Sequence, residues 1–124
     1  MKYPKSAKDF KRLKKKKALR ARMTGTAEVP RLVVFRSNRH ISAQLVNDLE
    51  HKVLFGTNDL AEPVQGQLKK DSTKLDASKA VGKAIAEKAK AEGIKKVVFD
   101  HNGLKYHGRI KALADSARAE GLEF

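Results

Sequence analysis

Residues 31–57, RLVVFRSNRHISAQLVNDLEHKVLFGT, decide the fold, because three strand signatures follow one another there with almost nothing between them. The first, RLVVFRS, is β-branched and aromatic and is apolar on both faces at Leu32, Val33, Val34 and Phe35, the pattern of a central strand. In the second, HISAQLVND, Ile41, Ala43 and Leu45 alternate with Ser42 and Gln44, so one face turns to a core and the other to solvent or a polar partner. KVLFGT supplies the third. The connections, at Asn38 and Arg39 and again at Glu50 and His51, are too short for a crossover, so the three runs predict an antiparallel meander.

Downstream the period changes. Residues 59–76, DLAEPVQGQLKKDSTKLD, show no clear repeat and are interrupted by Pro63 and Gly66, which predicts a surface loop. Asp76 is the expected N-cap of a helix in which Ala77, Ala80, Val81, Ala84, Ile85 and Ala89 form one stripe with lysines opposite. IKKVVFD then reads as a fourth strand, HNG as its turn, and RIKALADSARAEG as a second amphipathic helix with Ile110, Leu113, Ala114 and Ala117 on one face. The two helices close alike, with AEGI at 91–94 and AEGL at 119–122, each giving Gly the left-handed position and an apolar residue after it, as in a Schellman closure. A helix between the third and fourth strands lets the fourth join as a crossover. The expected fold is therefore α/β, a βββαβα mixed sheet of three antiparallel strands plus a fourth, with helices too few to cover both faces.

The other organising signal is charge. The chain has 124 residues and a net charge of +14, and eleven basic residues through Arg22 stand against Asp9 alone, so +10 lies in the first 22 residues. KSAKDFKRLKKKKALRAR can form a helix, but its lysines repel and only Phe10, Leu13 and Ala18 offer an apolar stripe, so it is expected to order fully against a partner. TGTAEVP follows as a hinge, which divides the chain into a basic arm, 1–24, and one globular domain, 25–124. A tail of this kind is laid out to neutralise a polyanion. The absence of cysteine excludes a disulfide framework and a thiol nucleophile, and fits a reducing compartment, the cytoplasm by default. No apolar run is long enough to span a bilayer, and Phe10 and Leu13 are thin support for a membrane-surface helix.

FDHNGLKYHGR, residues 99–109, holds Asp100, His101, Tyr106, His107 and Arg109, which is much of the vocabulary of acid–base catalysis. No nucleophile elbow accompanies it, the glycines match neither a phosphate loop nor a dinucleotide fingerprint, and His40, His51, His101 and His107 lack metal-ligand spacing. One catalytic alternative remains, a metal-dependent nuclease using Asp48 and Asp100 at strand ends. A plain strand-to-helix loop, with Asp100 or His101 bonded to backbone, is a second alternative, and a generic basic chaperone a third. As an RNA contact the stretch is coherent: Tyr106 and His107 can stack on splayed bases, Arg109 can fork onto phosphate or guanine, and Gly108 lets RNA approach a helix N-terminus. Arg36, Ser37, Asn38, Arg39 and His40 form a second polar cluster at the first hairpin tip, with Arg31, Gln44 and Asn102 as further candidate contacts. The reading calls for no cofactor, no metal and no small-molecule substrate.

Two long strings go further. TGTAEVPRLVVFRSNRHISAQLVND and GIKKVVFDHNGLKYHGRIKALADSARAEGLEF, with FRSN, VVFD and YHGR in order, closely resemble the bacterial form of the large-subunit ribosomal protein eighteen family, the 5S rRNA binders, over nearly everything except residues 55–76. The resemblance implies a non-enzymatic structural protein of the central protuberance that docks 5S rRNA onto large-subunit rRNA beside neighbouring 5S-binding ribosomal proteins. It also implies that RNA contacts fall on the matching arm positions Lys11, Arg12, Lys14, Lys15, Lys16, Lys17, Arg20 and Arg22, on the hairpin from Arg36 to His40, and on Tyr106 to Arg109. Two positions depart from the family pattern. Ser42 stands where Tyr is frequent and His101 where Arg is common, which takes away a stacking ring at one and a guanidinium at the other.

Overall fold

The computed structural model describes residues 6–20 and 23–124. Its elements are α1 (Ala7–Arg20), β1 (Arg31–Arg36), β2 (Ile41–Asn47), β3 (Lys52–Asn58), α2 (Glu62–Gln65), α3 (Lys74–Ala91), β4 (Val98–Asp100) and α4 (Arg109–Ala119). The strands form one mixed sheet in the order β3-β2-β1-β4, antiparallel except where β4 runs parallel to β1. The doubly apolar β1 is central, as its sequence requires, and the helical crossover carries the chain to its far side.

Register assigns the two faces. Leu32 lies opposite Leu45 and Phe99, and Val34 opposite Ala43, and these apolar pairs meet Val81, Ile85 and Ala89 of α3 and Ile110, Leu113 and Ala117 of α4 in the core. Arg31, Val33 and Phe35 alternate to the other face, where Val46, Gln44 and Ser42 stand opposite them. The α3–α4 core lies on the first of these two faces.

The segment 59–76 is more ordered than its composition suggests. Pro63 falls in the first turn of α2, where the missing N–H has no bond to lose, and Val64 on the same turn is fully buried. The helix α3 starts earlier than Asp76: Thr73 is its N-cap, and the two residues form a capping box, with Asp76 N–H on Thr73 Oγ1 at 3.2 Å and Thr73 N–H on Asp76 Oδ2 at 3.0 Å. Hydrogen bonding from the Thr73 backbone N–H, and then from the Thr73 side chain, holds the Asp76 carboxyl below its ordinary range. The fourth strand is only three residues long, because the chain before it pairs with the C-terminus, Glu123 donating to Lys95 O at 3.0 Å and Val97 to Glu123 O at 3.1 Å. Both Schellman closures are complete: Ile94 N–H reaches Ala89 O and Gly93 N–H reaches Lys90 O, and Leu122 and Gly121 repeat the pattern on Ala117 and Arg118.

The helices α3 and α4 cross on Gly82, where a Cβ would lie 2.3 Å from the Leu113 carbonyl oxygen, and Ser116 Oγ donates to Lys79 O at 2.6 Å beside it. A methyl group there has no way out except to separate the two helices. Gly82→Ala is therefore expected to destabilise the fold by about 1–3 kcal/mol in urea or thermal unfolding, and an unchanged midpoint would contradict this crossing.

Candidate nucleic-acid interface

The interface is built on an arginine that the sequence presents as a surface cation. Arg31 opens β1 on the face away from α3 and α4, yet its side chain is only 11% exposed. Its guanidinium donates from Nε to Asp48 Oδ2 at 3.0 Å, from Nη2 to Asp48 Oδ1 at 3.1 Å and from Nη1 to Asp100 Oδ2 at 2.6 Å. Hydrogen bonding to Asp48, and then to Asp100, holds the Arg31 proton above its ordinary value against a burial that works the other way. Asp48 in turn accepts the Gly25 N–H at 2.7 Å and donates its own N–H to Gly25 O at 2.8 Å, so the start of the hinge is stitched to the end of β2.

Asp100 carries the tie onward. Its Oδ1 accepts the Asn102 N–H at 2.8 Å, and Asn102 (φ 59°) and Gly103 (φ 71°) are both left-handed, which turns the chain sharply out of β4. That turn brings Gly103 so close to α1 that a Cβ would lie 2.5 Å from Arg12 O and 3.1 Å from Lys16 Cβ. The arm is thus seated on the body through the backbone around Arg12 and Lys16, while Phe10 and Leu13 stay exposed. Asp48 and Asp100 do converge, as a nuclease would require, but on a guanidinium. Among the described residues no group of three or more acids, histidines or cysteines could hold a metal ion.

Around this seat a basic cleft opens. Lys8, Lys11, Arg12 and Lys15 recur at helical spacing along one side of α1 and face Arg36 of the first hairpin and Lys105 and His107 of the β4–α4 loop, with Asp9 as the one acid in the wall. Lys14 and Lys17 are exposed outside that wall, and Lys16 is half-buried. Arg22 and the side chain of Arg20 lie outside the described residues.

The hairpin between β1 and β2 is closed by Ser37, which donates its N–H to His40 O at 2.9 Å and accepts the His40 N–H on Oγ at 3.1 Å, leaving Arg36, Asn38 and Arg39 exposed. Arg109 holds it from behind, donating from Nη1 to Ser37 O at 2.8 Å. Burial, and then the neighbouring Arg36 charge, lowers the Arg109 pKa, with Asp59 pulling the other way. Gly108 leaves the N-terminus of α4 without a side-chain cap. Tyr106 packs edge-on against Phe99 at 5.9 Å and accepts a hydrogen bond from Arg118 Nη1 at 3.1 Å, so its ring is steadied but still partly exposed. Gln44 is half-buried on the open sheet face.

The expected contacts thus divide. Arg36 to His40, His107, Gly108 and the α1 cations come together on one side. Arg31 and Asn102 stand apart from these: each is at least nine-tenths buried, Arg31 with its guanidinium bonded to Asp48 and Asp100, and Asn102 inside the turn with its N–H on Asp100 and its Oδ1 facing no donor among the described residues. Lys8, Lys105 and Asp59 were missed. Lys8 is legible as the residue three before Lys11 on the same helical face, whereas Asp59, whose carboxylate pairs with His40 Nδ1 at 2.9 Å through Oδ2, lies in a stretch with no period to read. Five buried polar atoms near this surface have no partner among the described residues: Arg12 Nε, Asp59 Oδ1, His101 Nδ1, Asn102 Oδ1 and Arg109 Nε. A buried polar atom left without a partner costs about 1–3 kcal/mol.

A family model described as ribosomal L18 of archaea, bacteria, mitochondria and chloroplasts matches residues 6–124. The chain is 53% identical over 113 residues to the large ribosomal subunit protein uL18 of Lactobacillus delbrueckii subsp. bulgaricus, covering 91% of this chain and 92% of that one. It is 48% identical over 111 residues to uL18 of Prochlorococcus marinus, covering 90% and 91%, and 48% identical over 114 residues to uL18 of Staphylococcus haemolyticus, covering 91% and 92%.

Removing Arg31 takes away the guanidinium that Asp48 and Asp100 share in a largely buried setting. Arg31→Met is expected to lower the unfolding free energy by about 3–5 kcal/mol, and a loss under about 1 kcal/mol in urea titration would show that Arg31 is not the tie described.

Proposed function

The chain belongs to the ribosomal L18 family, structural proteins of the large ribosomal subunit, and on that premise we propose that it binds 5S rRNA and helps attach it to large-subunit rRNA in the central protuberance. It is not an enzyme; its place is the large ribosomal subunit, among rRNA and other ribosomal proteins. Neighbouring 5S-binding proteins are the partners proposed at its rim.

The observation that carries this reading is the cleft between α1 and the β4–α4 loop. Six Lys and Arg side chains and His107 line it against a single Asp, and α1 is docked rather than trailing, so the positive wall has a fixed shape. Cations at that density repel one another, and a phosphate backbone laid between the two walls removes the repulsion and releases counterions. Phosphate contacts fix orientation, and the hairpin tip with Ser37, Asn38, Arg39 and His40, the rings of Tyr106 and His107, Gln44 on the sheet, and Arg109 at the α4 N-terminus supply the groups that distinguish one RNA shape from another. Lys14, Lys16, Lys17, Arg20 and Arg22 add to the arm's charge.

If six to ten phosphates are engaged, the affinity for 5S rRNA falls by about 10³- to 10⁵-fold between roughly 50 and 200 mM salt in filter binding. Replacing Lys11, Lys15 and Lys105 together by Ala reduces the slope of log affinity against log salt by about two to three, with the preference for 5S rRNA over transfer RNA retained. A salt-independent affinity, or a slope untouched by the triple replacement, contradicts the cleft as the phosphate site.

A further inference from the structure

Beside the phosphate cleft, on the far side of Arg12 and Arg36, lies a second and smaller recess floored by Phe35 and Ser42 of the open sheet face and walled by Asp59, Asn102 and His40. Its chemistry differs from that of the cleft. Asp59 and Asn102 are both more than nine-tenths buried, and each has an oxygen, Oδ1, with no donor among the described residues. The backbone of each is pinned. Asp59 is held by its backbone N–H on Ile41 O at 3.1 Å and by His40 Nδ1 on Oδ2 at 2.9 Å, and Asn102 by its N–H on Asp100. Two fixed acceptors suit a ligand that brings N–H donors, and they disfavour a phosphate, which brings only oxygens. Phe35 adds an exposed ring, across from Ser42, whose small side chain leaves the ring's flank open. Arg12 and Arg36 stand at the rim, where the sugar-phosphate of a bound nucleotide would pass, and Arg12 Nε is itself a donor without an acceptor.

We propose that this recess takes a single unstacked nucleotide of the bound RNA, with the base against Phe35 and an exocyclic amine donating to Asp59 Oδ1 and Asn102 Oδ1. The half-exposed His40 side chain is the cover that moves aside to admit it. The proposal rests on the RNA-binding reading and adds to it a base-reading site: cytosine, adenine and guanine carry the required amine, and uracil does not.

The test compares cytidine and uridine hexanucleotides by fluorescence anisotropy on the full chain, with 5S rRNA measured in parallel. The phosphate contribution is common to both hexamers and cancels in the ratio. The wild-type chain is expected to bind the cytidine hexamer roughly tenfold more tightly. Asp59→Ala, and separately Asn102→Gly, which keeps the left-handed backbone while removing the oxygen, are expected to bring the ratio close to unity, with folding checked by circular dichroism. Equal affinity of the wild-type chain for the two hexamers alongside tight binding of 5S rRNA overturns the base pocket and leaves the RNA reading standing. A cytidine preference that survives both replacements also overturns it, because the base is then read elsewhere. Failure to bind either hexamers or 5S rRNA overturns both.

Discussion

One guanidinium governs how the basic side of this molecule is assembled. Arg31 joins the hinge, the end of β2, the start of β1 and the end of β4 through Asp48 and Asp100, in a position from which water is largely excluded. A buried ion pair is a poor source of net stability, because the desolvation of its members offsets most of their attraction. Its value here is geometric. A strand of three residues has little side-chain alternation to set its register, and the fork of Arg31 reaching Asp100 from the neighbouring strand adds a contact that a slipped pairing would lose.

The consequences run outward from Asp100. Its second oxygen holds the Asn102 amide, the left-handed turn brings Gly103 against α1, and the arm is then laid beside Arg36 and Lys105. A lysine-rich helix of 14 residues has little reason to persist alone, since its charges repel and its apolar residues are few. Docking on the turn sets its direction, so the cleft has two positive walls rather than one fixed wall and a loose tail. The same docking draws Arg12 away from solvent, and its Nε finds no acceptor among the described residues.

Much of the architecture was legible in the sequence because it depends on periods and punctuation. Alternation at Ile41, Ala43 and Leu45 gave the half-covered sheet, the apolar run at Val33 and Val34 gave its centre, and the two AEG closures gave the ends of both long helices. The α2 turn was hidden because a four-residue helix with one buried side chain, Val64, has no period. The start of α3 was misplaced by three residues because Asp76 suits both N-cap and N3, and only the position of Thr73 decides between them. Arg31 was read as a candidate RNA contact for a deeper reason: its partners lie 17 and 69 residues away, and nothing local distinguishes an arginine turned into a sheet from one turned to solvent. The basic and aromatic residues of the hairpin and the β4–α4 loop are plain in the sequence, while their convergence on the arm depends on a turn that only the fold reveals.

The account makes one claim above the others, that α1 and the β4–α4 loop grip the same stretch of RNA. Large subunits reconstituted with this protein can be crosslinked by ultraviolet light, digested, and the RNA-bearing peptides mapped. The account predicts that peptides containing Lys11 and Lys15 and peptides containing Lys105 and His107 are joined to neighbouring nucleotides of 5S rRNA. Crosslinks confined to the exposed lysines of α3, such as Lys79 and Lys83, with none on either wall of the cleft, would contradict it.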